Sequence, residues 1–430
     1  MNKINLGLIG YGVVGSGLVK LLAKRKSYIK NKFNAEFVLK TLCDRSIEAK
    51  NPQGLLGTAL TTKYQDILDD PQIHIVIELI GGMNPAREIV RGALSKGKHV
   101  VTANKELIAN NGIELFQLAK EKKCRLYYES SVGAGVPVIK TITEGLAGNK
   151  FSSIYGIING TCNFILSEMT QNNVSFNQAL EEAQKRGFAE SDPSLDVNGI
   201  DSVHKLAILT YLAFGKAINV KDIYREGITH ISHDDIEYAT SLNLAIKLLA
   251  IAKKEEKKIE ARVHPTLISK DHPLASINSI YNAVYIKADP LGNILLSGEG
   301  AGQMSAASGV VSDLINFVAS GQDATLACNI YSEATGLELQ PIDQVNTKFY
   351  LRFMVIDKPG VLSIITGILG KNNIGINSVT QRAHNRMAAV PVIMLTDYTS
   401  GHMLRLALDE INQLQVVKSK PVAIRMEKLW

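Results

Sequence analysis

The stretch GLIGYGVVGSG, from Gly7 to Gly17, decides the fold of the first domain. It holds the spacing G-x-G-x-x-G at Gly10, Gly12 and Gly15, between the apolar run INLGLI and the helix-like run VVGSGLVKLLAK. In a dinucleotide-binding fold the first glycine permits a tight turn, the second lets the backbone approach the pyrophosphate, and the third lets the helix pack close to the strand. The helix N-terminus attracts the phosphates. We therefore predict a nicotinamide dinucleotide site rather than a plain strand–helix joint.

The end of the second predicted strand carries the residues that distinguish NAD from NADP. The run EFVLKTLCDRS reaches Asp44, which Arg45 follows directly. A carboxylate suits the free ribose hydroxyls of NAD, whereas an arginine suits the additional phosphate of NADP. Both Asp44 and Arg45 are present, so the choice between NAD and NADP stays open. Lys63, after the next turn, favours NADP, and a lysine that is only solvated at the surface is the alternative. The long distance from the glycine turn to Asp44 predicts an inserted loop from Lys26 to Ala35.

Bulk composition limits the class of protein. A chain of 430 residues is too long for one core, so we expect two or three domains. The net charge of +6 suits anionic small ligands, and no concentrated basic patch indicates nucleic-acid binding. The sequence has neither a signal peptide nor an apolar run of about 18 residues, so we expect a cytoplasmic protein without a membrane span. The scattered cysteines form no CxxC pair and are predicted to be buried free thiols: Cys43, Cys124, Cys162 and Cys328.

The order of predicted strands and helices indicates an α/β protein of several domains. Apolar strands alternating with helices predict a Rossmann-type nucleotide-binding domain over residues 1–135, completed by a helix near 305–320. The pattern changes at about Phe151, and we predict an α+β catalytic and dimerisation domain over residues 136–330. After a linker at 331–347, the order βαββαβ over residues 348–430 predicts a ferredoxin-like domain.

The run GFAESDPSLDVNGIDSVHKLAIL is the richest in charged residues that can carry chemistry. Glu190, Asp192, Asp196 and Asp201 lie within twelve residues, ahead of Lys205. Four carboxylates this close repel one another unless they share a positive group, for which Lys205 and a substrate ammonium both qualify. Asp201 and Lys205 are four apart on one helix face, so Asp201 can hold a protonated lysine ready to protonate an alkoxide. An acidic helix start with a surface ion pair is the alternative, and the nearby dinucleotide domain favours catalysis.

Two further stretches carry candidate residues. In VVTANKELI, Lys105 follows Asn104 at the end of a predicted strand. Lys105 can bind a substrate carboxylate or assist proton transfer there. The alternative is a solvated lysine that follows a helix-capping asparagine. In YESSVGAGVPVI, Glu129 precedes small residues and Pro137, so several backbone carbonyls are left uncovered. Carbonyls and one carboxylate suit a hard cation, and a purely structural loop is the alternative.

Residues 1 to 330 closely resemble the homoserine dehydrogenase family. The resemblance rests on the glycine turn, TANK, YESSVGAGVP, GIINGTCNF and AESDPSLDVNGIDSVHK. The C-terminal unit, with DKPGVLSII and INSV, resembles an ACT domain. The resemblance implies reversible NAD(P)H-dependent reduction of L-aspartate 4-semialdehyde to L-homoserine, in the branch that leads to threonine, methionine and isoleucine. The chain departs from the family at Ser305-Ala306, where members often carry a proline-threonine pair.

The resemblance also implies roles for individual residues. It makes Lys205 the proton donor, with Asp201 beside it, and Lys105 a second catalytic lysine. Substrate contacts are implied for Glu190, Asp196, Gly160 and Thr161. Cofactor contacts are expected at Gly10, Gly12, Val13, Val14, Gly15, Asp44, Arg45, Lys63, Ala103, Lys105 and Gly302. A sodium-like ion is implied on Glu129 and the carbonyls of Val132, Ala134 and Val136.

The ACT-like unit implies regulation and assembly. Its DKPG turn, with Asp357 and Gly360, and Asn377 in GINS predict an amino-acid effector, most simply the end product threonine. ACT units usually pair edge to edge, so we expect a homo-oligomer, either a dimer or a tetramer. A role in assembly alone is the alternative.

Two other functions compete with this assignment. One is another NAD(P)-linked reductase, acting on a different small amino-acid aldehyde or keto acid. The other is a regulatory sensor that binds nucleotide and amino acid without catalysis. The joint presence of Lys105, Glu190, Asp201 and Lys205 argues against the sensor, because a site without catalytic function would be free to lose them.

Overall fold

The computed structural model describes residues 2–50, 52, 55, 57–320, 336–381 and 389–429. Its strands are β1 (Asn2–Ile9), β2 (Ala35–Cys43), β3 (Ala59–Thr61), β4 (Ile75–Glu78), β5 (His99–Thr102), β6 (Leu126–Tyr127), β7 (Lys150–Ile157), β8 (Tyr224–Arg225), β9 (Leu244–Glu255), β10 (Lys258–Ser269), β11 (Tyr281–Asp289), β12 (Gly292–Glu299), β13 (Glu338–Leu339), β14 (Asn346–Val355), β15 (Ile376–Gln381), β16 (Val390–Thr396), β17 (Thr399–Ser400) and β18 (Val422–Met426). Its α-helices are α1 (Val13–Phe33), α2 (Ile47–Lys50), α3 (Gln65–Asp69), α4 (Ala86–Ser95), α5 (Lys105–Glu121), α6 (Val138–Lys140), α7 (Gly160–Gln171), α8 (Phe176–Lys185), α9 (Ser194–Val197), α10 (Ile200–Phe214), α11 (His233–Ser241), α12 (Gln303–Ala319), α13 (Val361–Lys371) and α14 (Gly401–Asn412).

The chain divides into two compact units whose segments interleave along the sequence. The first unit comprises Met1–Gly160, Asp201–Ile223 and Ile280–Gly336, and the second comprises Thr161–Ile200, Tyr224–Ser279 and Leu337–Trp430. Cys328 and the start of the predicted linker lie outside the described residues, whereas Cys43, Cys124 and Cys162 are buried free thiols, as predicted. No helix in the described part of the chain is both long and apolar enough to cross a membrane.

A six-stranded parallel sheet forms the centre of the first unit. Its strand order is β3-β2-β1-β4-β5-β6, and every neighbouring pair is parallel. This is the predicted Rossmann-type arrangement. Its strands are almost entirely apolar because both faces of a parallel sheet are covered. The buried core includes Leu6, Leu8, Ile75, Ile77 and Val101.

Helix α12 packs on α1 in the same unit. A Cβ atom on Gly17 would lie 2.6 Å from the carbonyl oxygen of Gln303, so the two helices approach closely only because residue 17 is glycine. The side-chain Nε2 of Gln303 donates a hydrogen bond of 2.9 Å to the Ser16 hydroxyl. The apolar face of α12 joins the core beneath the glycine turn through Ala307, Val310 and Leu314.

Helix α1 is longer than the sequence analysis predicts. It continues without a break to Phe33 and ends at Asn34, whose φ of 50° places it in the left-handed region common at helix C-termini. The prediction of an inserted loop from Lys26 to Ala35 is therefore wrong, since the extra residues extend the helix. The added turns are rich in lysine, a good helix former, and the buried Ile29 anchors them on the core.

Three further strands of the first unit, β12, β11 and β7, lie side by side, each antiparallel to its neighbour. The central strand β11 pairs with β7 on one side and β12 on the other. Strand β7 ends at Ile157, so its pairing with β11 sets the position of the next two residues, Ile158 and Asn159. Both residues contribute to the candidate site described below.

The second unit contains a long hairpin that the sequence analysis predicts only in part. Strands β9 and β10 pair over twelve residues, from Leu244↔Ser269 to Glu255↔Lys258. Strand β10 is among the predicted strands and β9 is not. The sequence of β9, LAIKLLAIAKKE, is rich in helix formers and has no clear period of two. Pairing with β10 overrides that local preference.

The C-terminal part of the second unit has the predicted βαββαβ order. Its elements are β14, α13, β15, β16, α14 and β18, and the strands are arranged β18-β14-β16-β15 with all neighbours antiparallel. Both helices pack on one apolar core, which includes Phe349, Leu351, Phe353, Ile365 and Leu369. This is a ferredoxin-like arrangement.

Candidate active site

The glycine turn has the conformation that a dinucleotide cradle requires. Gly10 has a φ of 103°, and a Cβ atom there would lie 2.7 Å from the Leu79 carbonyl. A Cβ atom on Gly15 would lie 2.1 Å from the Gly10 oxygen, so a side chain at residue 15 would force the helix away from the strand. By contrast, a Cβ atom on Gly12 would meet no heavy atom within 4 Å. The open space at Gly12 is where the backbone can approach a pyrophosphate.

The N-terminus of α1 is left open for an anion. Gly12 is its N-cap residue, no described side chain caps the helix, and its first turn holds no acidic residue. Val13 is 67% exposed, which is unusual for a valine, and Val14 is partly covered by the core. Unpaired amides at the positive end of a helix favour a phosphate group. The geometry therefore fits a dinucleotide.

Asp44 is bound to the glycine turn and to a lysine that the sequence analysis does not single out. Its carboxylate accepts hydrogen bonds of 2.7 Å from the Tyr11 amide and 2.7 Å from Lys50 Nζ, and others from Ser46. Burial would raise the pKa of Asp44, but the bonds from Lys50, Ser46 and Tyr11 outweigh it and hold the pKa well below its usual value. A carboxylate in an ion pair with lysine attracts the ribose hydroxyls less strongly than a free one.

The remaining predicted cofactor residues lie along the same edge of the sheet or at α12. Arg45 and Lys63 are exposed, and Lys63 follows Thr61, whose carbonyl accepts the Asp44 amide at 3.1 Å. Ala103 lies between the end of β5 and the start of α5. Gly302 has a φ of 125° at the N-terminus of α12, a conformation that favours glycine. The carboxyl ends of parallel strands are where such folds bind ligands.

At the family departure, Ser305-Ala306, both residues are held in place. The Ser305 hydroxyl accepts the Gly135 amide at 3.1 Å and donates to the Glu299 carbonyl at 2.9 Å. The carbonyl of Ala306 accepts a hydrogen bond from the Ser130 hydroxyl at 2.7 Å. The serine therefore joins the turn before α12 to the loop that follows Ser130.

Asp201 lies between two lysines and forms the centre of the candidate site. Its Oδ2 atom is 2.7 Å from Lys205 Nζ, the partner that the spacing of four residues predicts, and its Oδ1 atom is 2.7 Å from Lys105 Nζ. Asn159 Nδ2 donates a third hydrogen bond to Oδ2 at 3.0 Å. Lys205 Nζ also donates to the Ile158 carbonyl at 2.7 Å. The strand end of β7 and helices α5 and α10 thus meet at one carboxylate.

Burial and charge together determine the electrostatics of this cluster. The side chains of Asp201 and Lys205 are 7% and 10% exposed, whereas that of Lys105 is 43% exposed. Burial would raise the pKa of Asp201, but the charges of Lys205 and Lys105 outweigh it and hold the pKa well below its usual value. Two ammonium groups and one carboxylate carry one net positive charge. Such a cluster can stabilise a negative oxygen and supply a proton.

Local sequence explains how Lys105 reaches this cluster. Asn104 is the N-cap of α5, and its side-chain oxygen accepts the Leu107 amide at 3.0 Å. The helix therefore begins at Lys105, whose side chain reaches Asp201. The ion pair with Asp201 contradicts the alternative that Lys105 is a solvated lysine. Asn159 and the Ile158 carbonyl are not among the predicted site residues, although Asn159 stands in the GIINGTCNF motif.

Most of the predicted substrate residues belong to the second unit. In the second unit, Glu190 is exposed, Asp196 is half-buried, and the Thr161 hydroxyl donates to the Phe188 carbonyl at 2.7 Å. Asp192 instead accepts hydrogen bonds from the amide and hydroxyl of Ser194, so it stabilises the DPSLD turn. The expectation that all four acids share one positive group is therefore wrong for Asp192.

In the first unit, Gly160 begins α7 at a crowded point. A Cβ atom on Gly160 would lie 2.9 Å from the Ile280 carbonyl, so any other residue would push the two segments apart. Glycine is therefore required for the close approach of the segment that leads into β11. The same approach places the backbone after Asn159 at the start of the helix.

The predicted cation loop is a buried turn next to two carboxylates. Val132, Ala134 and Val136 are buried, and Ala134 has a φ of 52°. The Glu129 carboxylate accepts the amides of Ile139 and Lys140 at 2.9 and 2.8 Å. Burial raises the pKa of Glu129 to about 7 against these bonds.

A second carboxyl group lies beside Glu129. Asp313 on α12 accepts the Glu129 amide at 3.0 Å, and burial together with the charge of Glu129 raises its pKa well above the usual value. Two buried carboxyl groups and nearby carbonyls suit a hard cation of low charge. No cluster of three or more His, Cys, Asp or Glu side chains that could hold a metal occurs among the described residues.

Comparison with known proteins adds independent information. Residues 10–129 match the family model described as the NAD binding domain of homoserine dehydrogenase, and residues 137–315 match the homoserine dehydrogenase model. A homoserine dehydrogenase from Synechocystis is 40% identical, over 98% of this chain and 99% of that protein. The crystal structure of one from Thiobacillus denitrificans is 39% identical, with a TM-score of 0.93 over 100% of this chain and 99% of that one. A hyperthermophilic archaeal homoserine dehydrogenase mutant, solved with NADPH, is 29% identical with a TM-score of 0.63, over 74% of this chain and 98% of that one.

Proposed function

The chain belongs to the homoserine dehydrogenase family, and on that premise we propose which of its residues carry out the reaction. The function is the reversible NAD(P)H-dependent reduction of L-aspartate 4-semialdehyde to L-homoserine. The observation that carries the proposal is the placement of Asp201 between Lys205 and Lys105, at 2.7 Å from each. We assign proton donation to Lys205, its positioning to Asp201, and stabilisation of charge to Lys105.

The chemistry of these residues follows from their charges and contacts. When bound, the nicotinamide supplies the hydride that reduces the aldehyde carbon. Negative charge then develops on the substrate oxygen, and the ammonium of Lys205 stabilises that charge and donates a proton to it. Asp201 and the Ile158 carbonyl fix the direction of the ammonium. Lys105, the more exposed of the two lysines, adds positive charge and can be reached by solvent.

The predicted substrate contacts stay part of the proposal. Glu190 and Asp196 are assigned to the ammonium group of the substrate, because a carboxylate is the natural partner of an ammonium. Thr161 and Gly160 are assigned to the polar groups of the substrate near the nicotinamide. These assignments rest on the match of the motifs to those of the family.

A steady-state assay tests the function and its competitors. Oxidation of NADPH or NADH is followed with L-aspartate 4-semialdehyde and with other small amino-acid aldehydes. The proposal expects turnover that depends on aspartate semialdehyde, and reduction of the oxidised cofactor by L-homoserine. Preference for another aldehyde would favour the second reductase, and absence of turnover with either cofactor would favour the regulatory sensor.

We propose NADP as the preferred cofactor because cations outnumber carboxylates at the end of β2. Lys50 already neutralises Asp44 at 2.7 Å, which leaves the charge of Arg45 for a ligand. Lys63 adds a further exposed charge beyond Thr61. A ribose with a 2′-phosphate suits this arrangement better than one with free hydroxyls.

Substitutions at this point should separate the two cofactors. We expect Arg45→Ala to raise the Kd of NADPH about tenfold and to leave the Kd of NADH almost unchanged, since one charge-assisted phosphate contact is lost. Fluorescence titration of both cofactors measures the effect. Lys30→Ala, which removes an exposed charge from α1, is the matched control. Equal weakening of both cofactors by Arg45→Ala would show that Arg45 does not bind the phosphate.

For the buried loop of Val132, Ala134 and Val136 we propose a monovalent cation such as sodium. Glu129 would face it with a carboxylate that two amides already hold in place. The carbonyls of the loop would supply most of the oxygen ligands. The cation would join the loop to α12 and thereby support the shape of the nucleotide-binding domain.

We further propose that the C-terminal unit is an ACT domain that binds an amino acid and assembles the enzyme. Two features support an ACT domain. They are the ferredoxin-like strand order and the DKPG turn, whose Gly360 has a φ of 89°. Strand β15 lies at one edge of the sheet and is mostly exposed, as an edge that pairs with a second copy would be. We also propose the domain limits at residues 135, 330 and 347. A homo-oligomer and a cytoplasmic location are proposed as well.

Threonine is the effector to be tested first. We expect millimolar threonine to raise the Tm and to lower the rate, because a ligand that binds the folded state stabilises it. Asn377→Ala should reduce the Tm shift, whereas Thr380→Ala, elsewhere on β15, should not. If threonine changes neither rate nor Tm, it is not the effector, and the ACT unit serves assembly.

A further inference from the structure

A fully buried carboxyl group lies at the end of the strand next to the candidate site. Glu78 is the last residue of β4 and has no exposed surface. Its Oε1 atom accepts the amides of Ile80 and Gly81 at 2.8 and 3.2 Å, and its Oε2 atom accepts the Thr102 hydroxyl at 2.6 Å. No described cation forms an ion pair with it. Burial of a carboxyl group costs free energy, and the three hydrogen-bond donors offset part of that cost.

The hydrogen bonds continue from Glu78 to the start of α5. Thr102 is the last residue of β5 and the partner of Glu78 in the parallel register. Its hydroxyl accepts the Asn104 amide at 3.0 Å while donating to Glu78. Asn104 in turn caps α5 by accepting the Leu107 amide at 3.0 Å. The orientation of the first turn of α5 therefore depends on Glu78 through two side chains.

The same network also holds the turn after β4. Gly81 and Gly82 have φ values of 72° and 69°, in the left-handed region that favours glycine. Glu78 binds the Gly81 amide, and Asn104 Nδ2 donates to the Gly82 carbonyl at 2.7 Å. A closed ring of hydrogen bonds thus joins the carboxyl ends of β4 and β5. Three of its members, Glu78, Thr102 and Asn104, are buried.

We propose that Glu78 is a positioning residue for the reaction. Through Thr102 and Asn104 it fixes the point at which α5 begins, and thereby holds Lys105 at the distance from which its amine reaches Asp201. The proposal rests on the role given to Lys105 above. Lys105 has the more exposed side chain of the two lysines, so a fixed helix start adds to the ion pair with Asp201 in limiting its freedom.

Substitutions at Thr102 test this without removing the buried carboxyl group. Thr102→Val keeps the shape of the side chain and removes the hydroxyl, whereas Thr102→Ser restores it. We expect Thr102→Val to lower kcat roughly 10- to 100-fold, because a displacement of a catalytic group of the order of 1 Å costs about that much. Thr102→Ser should be close to the wild type. A purely structural role would lower Tm in Thr102→Val and leave kcat per folded enzyme unchanged, and that result would overturn the proposal.

Asn104→Asp provides a second, independent variant. Aspartate still caps the helix, since its carboxylate accepts the Leu107 amide, but it cannot donate to the Gly82 carbonyl. We expect a loss of kcat with the helix start retained, because the ring is opened at one bond. A normal kcat in Asn104→Asp would show that the bond to Gly82 is not needed for catalysis. That result would contradict the positioning role given to the closed ring.

A double-mutant cycle with Lys105 separates this proposal from the proposed function. If Glu78 acts through Lys105, Thr102→Val should lower kcat in the wild type and have little further effect in Lys105→Ala. The same fold loss in both backgrounds would overturn the positioning role while leaving the catalytic role of Lys105 intact. Normal kcat in Lys105→Ala alone would instead contradict the role given to Lys105 under the proposed function.

Discussion

Lys205→Ala is expected to lose roughly 10³-fold in kcat while it keeps its affinity for NADPH. Lys205 is the proposed proton donor, and its ammonium is held by Asp201 and the Ile158 carbonyl, both at 2.7 Å. Alanine removes the charge that stabilises the alkoxide and the proton that neutralises it. We place the cofactor at the glycine turn and the start of α1, whereas Lys205 lies on α10.

The Lys205→Ala variant should still fold. Asp201 keeps its ion pair with Lys105 and its hydrogen bond from Asn159, so its carboxylate is not left without a partner. Circular dichroism and the Tm establish the folded state, NADPH fluorescence gives the Kd, and initial rates give kcat. Lys221→Ala, which removes an exposed lysine of the same unit, is the matched control. Normal turnover in folded Lys205→Ala would contradict the assignment of the proton donor.

Asp201→Asn should have the second-largest effect, and it should act on both stability and rate. Asparagine has the same shape as aspartate but leaves two ammonium groups near each other without their shared negative charge. Loss of one partner of a buried ion pair costs about 3 kcal/mol in the free energy of unfolding. We also expect kcat to fall roughly 100-fold, because Lys205 loses the carboxylate that orients it.

The pH dependence of this effect has a definite sign. The pKa of Asp201 is lowered in the folded state, so the carboxylate contributes stability above its unfolded value of about 4. That contribution is lost as the pH falls through the lower folded value. The stability difference between the wild type and Asp201→Asn should therefore be full at pH 7 and shrink as the solution becomes strongly acidic.

The alkaline side of the rate profile should also change in Asp201→Asn. An ammonium without its carboxylate loses its proton more readily, so the decline of kcat at high pH should begin at lower pH than in the wild type. Denaturant unfolding and kcat are measured over a range of pH, with Asp222→Asn as a control that removes an exposed carboxyl group of the same unit. An unchanged profile in Asp201→Asn would show that Asp201 does not support the proton donor.

Local sequence predicts the parts of the molecule that depend on short-range patterns. The glycine turn follows from the spacing of Gly10, Gly12 and Gly15, and the structure shows a close approach that requires glycine at Gly10 and Gly15 and open space at Gly12. The ion pair of Asp201 with Lys205 follows from their spacing of four on one helix. The parallel sheet follows from apolar strands that alternate with helices.

Contacts between distant parts of the chain are not visible in such patterns. Lys105 and Asp201 meet only because the fold brings the start of α5 close to the start of α10, and nothing in either motif predicts that distance. Lys50 pairs with Asp44 through the short helix α2, whose sequence carries no motif. Strand β9 is missed because its residues favour a helix locally and only its pairing with β10 makes it a strand.

Compensating interactions also mislead an analysis by residue type. Four acids near Lys205 suggest one shared charge, but Asp192 is satisfied by the amide and hydroxyl of Ser194 within its own turn. A pair of hydrogen bonds within one turn thus satisfies a charge that residue type alone leaves open.

The proposed mechanism makes Asp201 and Lys205 one proton-transfer unit, and the kcat of the double variant shows whether they act together. Groups that act together lose their effect together, so Asp201→Asn/Lys205→Ala should have a kcat within about threefold of Lys205→Ala alone. All three variants and the wild type are measured with saturating NADPH and L-aspartate 4-semialdehyde, after each has been shown to be folded. A loss in the double variant equal to the product of the two single losses would mean that the residues act independently, and it would contradict the account.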